Sequence, residues 1–163
     1  MKVTFTARGF DKARHDLHAM RERVQDVRPA WDVVLTWWAE RNVTNFRNAG
    51  KRWRAAWKPL APATLGEKLR LGYPPDILVR SGDLRKSLTI RPLGVEMLRP
   101  HDVEAGTDVD YAGFHQRGTK RMPRRLLVNA RAVQQEGVVT AALINWIVSG
   151  KQSTRSRKIE RVN

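Results

Sequence analysis

The sequence predicts a single α+β domain with a short N-terminal strand, two long helices, an antiparallel β meander, a C-terminal helix and a basic tail. Three observations predict it: apolar residues recur at steps of three and four near both ends, short runs punctuated by Gly and Pro fill the middle, and 163 residues suit one core. Hydrophobic residues make up 41% and charged residues 29%, so a core can be buried and wholesale disorder is excluded. The domain is expected over 1–149, with a long loop over 51–75, and the basic tail over 150–163.

Val3, Phe5 and Ala7 alternate with Thr4, Thr6 and Arg8, the period of a half-buried strand, which Gly9 ends. Phe10, Ala13, Leu17, Met20, Val24 and Val27 then form one helical stripe. Pro29 suits the first turn of a second helix, along which Trp31, Val34, Leu35, Trp38, Asn42 and Phe46 follow up to Gly50. These two helices are expected to pack together. Trp37 lies off the stripe and marks either a second packing surface or an exposed aromatic ring.

The stretch "KRWRAAWKPLAPATLGEKLRLGYPP" over 51–75 holds four prolines and reads as loop. A short helix over Thr64 to Leu71, capped by Thr64 with Glu67 three residues on, is its most regular part. Trp53 and Trp57 stand among cations; they either stack on bases or pin the loop to the core. In "DILVRSGDLRKSL", Ser81 or Gly82 opens a helical turn with Leu84 and Leu88 inside. "LTIRPL", "VEML" and "DVEAGT" read as strands of an antiparallel hairpin or three-stranded meander, broken at Gly94 and at Arg99-Pro100. A last helix is expected from Asn129 to Val148, with Gly137 its weak point. Beyond Gly150, five Lys/Arg stand against one Glu in a polar, flexible tail.

Charge narrows the partners. Lys and Arg number 31 against 16 Asp and Glu, a net charge of +15, which attracts nucleic acid or acidic protein faces and does not choose between them. The absence of cysteine excludes disulfides, thiolate catalysis and Cys-held zinc, and fits an intracellular or virion setting. The N-terminus lacks the apolar block of a signal peptide, and no run reaches the ~18 apolar residues of a membrane span.

Little here points to catalysis. His15 and His18 lie one helical turn apart, but no other cluster is marked as completing a metal site, and they read as surface histidines. Asp102, Glu104, Asp108 and Asp110 could be drawn as the carboxylates of a metal-dependent nuclease; alternating along a strand, they read better as solvent-facing. Ser81 and Ser87 lie in no nucleophile elbow, and the glycines form no phosphate-cradling loop. His115 reads as a structural or partner-contacting histidine rather than a general base.

Three segments, "WKPLAPATLGEKLR", "ILVRSGDLRKSL" and "VEAGTDVDYAGFHQRGTKRMPRRLLV", in this order resemble the phage virion morphogenesis family, the small tail-completion or neck proteins of Mu-like and P2-like tailed bacteriophages. The resemblance spans residues 57–128. It rests on Trp57, Pro59, Leu60 and Thr64, on Leu78, Ser81, Gly82, Leu84 and Ser87, and on Gly106 and Thr107. Tyr111, Ala112, His115, Gln116 and Gly118, then Pro123 with Arg124 or Arg125, complete it. Arg117 departs from the apolar or aromatic residue the family tends to place before that glycine.

The resemblance implies a non-enzymatic virion component without cofactor or metal. It would be made in the host cytoplasm and built into the head–tail junction as a ring subunit, commonly six-fold, around the DNA channel. Its partners would be copies of itself, the tail tube, and terminator and connector or stopper proteins, with nonspecific contact to channel DNA and none to membrane. The alternatives are a tail terminator ring capping the tube and a sequence-nonspecific nucleic-acid-binding module. The expected contact residues are Trp53, Trp57, Arg80, His115, Gln116, Arg117, Lys120, Arg121, Arg124 and Arg125, with Lys151, Arg155, Arg157 and Lys158 of the tail.

Overall fold

The structure is a computed structural model that describes Thr4 and residues 9–154. The strand expected over Val3, Phe5 and Ala7 and the tail cations Arg155, Arg157 and Lys158 lie outside the described residues. Among the described residues, seven α-helices and one two-stranded antiparallel sheet make up the fold, broadly an α+β arrangement. In chain order these are α1 (Phe10–Gln25), α2 (Arg28–Arg47), a 3-10 turn (Lys51–Trp53), α3 (Pro62–Arg70) and α4 (Asp83–Thr89). They are followed by β1 (Val95–Leu98), β2 (Val103–Gly106), α5 (Ala112–Arg117), α6 (Ala130–Gln135) and α7 (Val138–Ser149).

α2 is the axis of the core. Asp32, Thr36, Glu40, Val43 and Arg47, three and four residues apart, form its exposed stripe, and more than half of its circumference is covered. α7 packs on α2, as do α4, both strands and the 3-10 turn. That is why Trp37, off the main stripe, is buried: its ring meets Trp53 edge to face at 6.3 Å. Trp53 is 0% exposed, and its indole N–H donates to Asn42 Oδ1 at 3.1 Å while its backbone N–H donates to Asn45 Oδ1 at 3.3 Å. Two buried asparagines on α2 thus satisfy the polar atoms of a buried tryptophan.

The hairpin pairs Val95 with Gly106 through to Leu98 with Val103, and Arg99 N–H to Asp102 O at 2.9 Å closes its turn. Of the two arrangements expected here the hairpin forms, and "LTIRPL" adds no third strand among the described residues. Leu88 and Thr89 finish α4, whose Leu84 and Leu88 are buried, and Ile90 to Leu93 run as an irregular link containing a cis Arg91–Pro92 peptide. Pro92 has no N–H for a ladder, and Arg91 is committed elsewhere. Its guanidinium bridges Glu96 Oε1 at 2.6 Å and Asp32 Oδ1 at 2.7 Å, and donates to Thr36 Oγ1 at 2.8 Å, fastening the link to α2 and β1.

Three further expectations change. α3 starts at Pro62 rather than Thr64, because proline at the first helical position needs no N–H partner; Thr64 is inside the helix and caps nothing. The expected helix over 129–148 is two helices, broken where Gly137 adopts φ 61. α1 leans chiefly on α7 rather than on α2. Trp146 Nε1–H donates to Asp26 O at 2.9 Å and Arg23 Nη1–H to Ile147 O at 3.1 Å, so the C-terminal end of α1 is clamped. Its stripe is not: no residue of α1 is buried, and Phe10 and Leu17 are 79% and 65% exposed.

Candidate partner-docking site

Three segments far apart in sequence meet at one corner. Trp57 is buried against Phe46 at 5.3 Å, and its indole N–H donates to Leu126 O at 2.8 Å. Gln116 on α5 reads the backbone of the same strand-like stretch. Its Oε1 accepts from Leu127 N–H at 2.7 Å and Val128 N–H at 3.3 Å, and its Nε2–H donates to Val128 O at 2.8 Å. Arg125 completes the corner: only 7% exposed, it donates to Lys58 O at 3.1 Å and Pro59 O at 3.3 Å, and its backbone N–H bonds His115 O at 2.8 Å. Burial lowers the Arg125 pKa, yet a guanidinium stays charged at neutral pH, and the carbonyl oxygens compensate part of its lost hydration.

Gly118 lets the chain return. Its φ is 77, and a Cβ would stand 2.9 Å from Arg124 N and 3.1 Å from Arg124 Cα, so only glycine lets the two backbone runs touch here. A tight turn follows, closed by Thr119 N–H to Met122 O at 2.9 Å, and it presents Lys120 and Arg121 outward. Nearby, Ser87 Oγ and Thr107 Oγ1 share a hydrogen bond of 2.6 Å that ties α4 to the end of β2.

This corner is one wall of a cleft of about 840 Å³. The opposite wall is α3 and the link that follows it. Lys68 Nζ donates to Asp76 O at 2.7 Å and Val79 O at 2.6 Å, folding the link back over α3, and burial lowers its pKa. Arg80 lies 4.8 Å over the Tyr73 ring. The floor is apolar, with Leu60, Leu78, Val79, Met122 and Pro123, while Lys58, Arg80 and Arg121 stand at exposed positions of the lining against one carboxylate, Glu67. His115 also lines it: its ring meets Tyr111 edge to face at 6.0 Å, and its Nδ1 is buried without a hydrogen-bond partner among the described residues. Burial, then the charge of Arg125, lowers the His115 pKa, so the imidazole is neutral at pH 7. No hydrogen bond among the described residues joins it to a carboxylate.

The predicted contact residues therefore divide. Trp53 and Trp57 have their rings in the core, where base stacking cannot reach them. Gln116 and Arg125 face inward and hold the corner; His115 is half-buried in the cleft wall. Arg80, Arg117, Lys120, Arg121, Arg124 and Lys151 are exposed, and Arg124 also donates to Gln116 O at 3.1 Å. Tyr111 stands at the N-cap of the short helix α5, which Ala112 opens. Sequence reasoning missed Lys68, Tyr73, Leu78 and Met122 as cleft residues, because only folding brings their segments together. Among the described residues, no three His, Asp or Glu side chains gather as a metal site, and no helix is long and apolar enough to cross a membrane.

Comparison with protein-family models, with curated proteins and with solved structures finds no match to this chain.

Proposed function

We propose that the protein is a structural virion assembly protein of the head–tail junction of a tailed phage, a tail completion or neck subunit that forms a ring around the DNA channel. What supports this reading is the use made of the residues on which the family resemblance rests. Trp57, Gln116 and Gly118, with Arg125, meet in one interlocked corner, and Ser87 and Thr107 bond each other beside it. They hold a shape rather than assemble a nucleophile, base and orienting acid. The chain as a whole carries a net charge of +15, which suits a subunit beside a polyanion or an acidic neighbour.

Deleting the gene from the phage that carries it tests the reading: filled heads and separate tails are expected, and normal infectious particles would sink it. Labelling the subunit in assembled particles separates tail completion from the tail-terminator reading by its position along the tail. Exposed Arg117, Lys120, Arg121 and Arg124 favour a second reading, nonspecific DNA binding. Retention of mixed-sequence DNA in filter binding should then fall steeply with salt; no retention at low salt would remove that reading.

A further inference from the structure

The charges around α5 are segregated. The seventeen residues between Arg99 and Arg117 contain no Lys or Arg and four acidic residues, whereas five cations crowd into 117–125. In a chain with nearly twice as many basic as acidic residues, such a gap creates a local negative edge. Asp102 pairs with Arg99, but Glu104, Asp108 and Asp110 are exposed and have no ion-pair partner among the described residues.

α5 stands between this edge and the basic cleft. Tyr111 and His115 line the cleft; Ala112, Gly113 and Gln116 line a smaller depression whose rim carries Asp108 and Asp110. The cationic and anionic surfaces thus lie on different faces of one six-residue helix. We infer that the basic cleft of one copy receives the acidic edge of a second copy, giving a head-to-tail contact through which this chain assembles with itself.

The contact is heterologous: it uses two different surfaces, so each subunit that docks its edge still offers its own cleft. Repetition closes a ring when the rotation between neighbours divides a full turn. In this contact Arg80 and Arg121 of one copy meet the exposed carboxylates Asp108 and Asp110 of the next. The apolar share of the cleft lining suits a protein segment better than a phosphate backbone, whose contacts are polar. The inference rests on the ring reading proposed above and assigns the surfaces that build it.

Native mass spectrometry and light scattering on the full chain test it with two near-isosteric or truncating pairs. Arg80→Ala with Arg121→Ala disables the cleft, and Asp108→Asn with Asp110→Asn disables the edge; all four positions are exposed, and far-UV circular dichroism checks that both variants fold. The expected result is an oligomeric wild type, two monomeric variants, and a discrete heterodimer when they are mixed, because one intact cleft then meets one intact edge. Raising salt from ~0.1 M to ~1 M, which shortens the Debye length from about 10 Å to about 3 Å, should shift the wild type toward monomer.

A wild type that stays monomeric at every concentration overturns both the ring reading and this contact. Variants that remain oligomeric, or that fail to form a heterodimer on mixing, overturn the contact and leave the ring reading standing. Loss of DNA retention in the cleft variant with unchanged oligomeric mass would assign the cleft to nucleic acid instead.

Discussion

α1 and α2 follow one another in the chain, both carry helical apolar spacing, and they meet opposite fates. α2 buries ten residues and α1 none. Periodicity therefore names the apolar face of a helix but not its partner. α2 is wrapped by α4, α7 and the hairpin, whereas α1 is fastened at one end by Trp146 and Arg23 and presents Phe10, Leu17 and Val24 outward. Stability should therefore be concentrated on α2 and its attachments, which a graded series of mutations tests.

The largest effect is expected at Trp53. Its side chain is fully buried between α2 and the corner, and Trp53→Ala both opens a cavity and strips Asn42 Oδ1 of its donor. A loss of about 3–5 kcal/mol, read as a lowered urea midpoint with unchanged slope, is expected. A loss below about 1 kcal/mol would mean that the α2 core is looser than its packing implies.

Glu96 comes next. It accepts from Arg91 and from Leu93 N–H at 2.9 Å, and the Arg91 hydrogen bonds, more than any other influence, hold its pKa below the usual glutamate value. Glu96→Gln should cost about 1–3 kcal/mol at pH 7. Because the folded pKa is depressed, this stabilisation is complete above the unfolded value near ~4.5 and disappears as pH falls through the lower folded one. Between those values the wild type should therefore lose stability on acidification faster than the variant. Parallel pH curves would place the link between α4 and β1 outside the structural core.

Much of this contrast was legible in the residues. Pro29 and Gly50 bracket α2, Gly137 marks the break before α7, and the hairpin strands fall where "VEML" and "VEAG" alternate around a Pro-containing turn. α5 was not legible, because six residues make fewer than two turns and show no period. The β-rich look of Leu88, Thr89 and Ile90 misleads because burial of Leu84 and Leu88 against α2 outweighs local propensity. The cleft was invisible for a different reason: Lys58, Arg80 and Arg121 belong to three segments that share no local pattern, and only the folded chain brings them into one lining.

His115 should give a smaller and pH-confined effect. Its folded pKa is lowered by burial and by Arg125, so protonation favours the unfolded chain. The fold then loses stability as pH drops from ~6.5 toward the folded pKa, by at most about 1.4 kcal/mol per pH unit for one proton, and the slope vanishes again below that value. His115→Gln should flatten this segment of the stability curve. An unchanged curve would mean that the cleft wall hydrates the imidazole and is not part of the packed region.

The smallest effect is expected at Leu17, where the contrast is sharpest. With the side chain 65% exposed, Leu17→Ser removes little burial and should change stability by no more than about 0.5 kcal/mol, whereas a core leucine truncated to alanine costs about 2–5 kcal/mol. The measurement should be repeated across protein concentration, because a stripe covered only in an assembly stabilises only at concentrations where the assembly forms. A loss above about 2 kcal/mol that does not depend on concentration would mean that the same chain covers the stripe, and the contrast with α2 would fall. A loss that grows with concentration would mean that α1 is a second assembly surface, distinct from the cleft because Leu17 and the cleft lie on different elements of the fold.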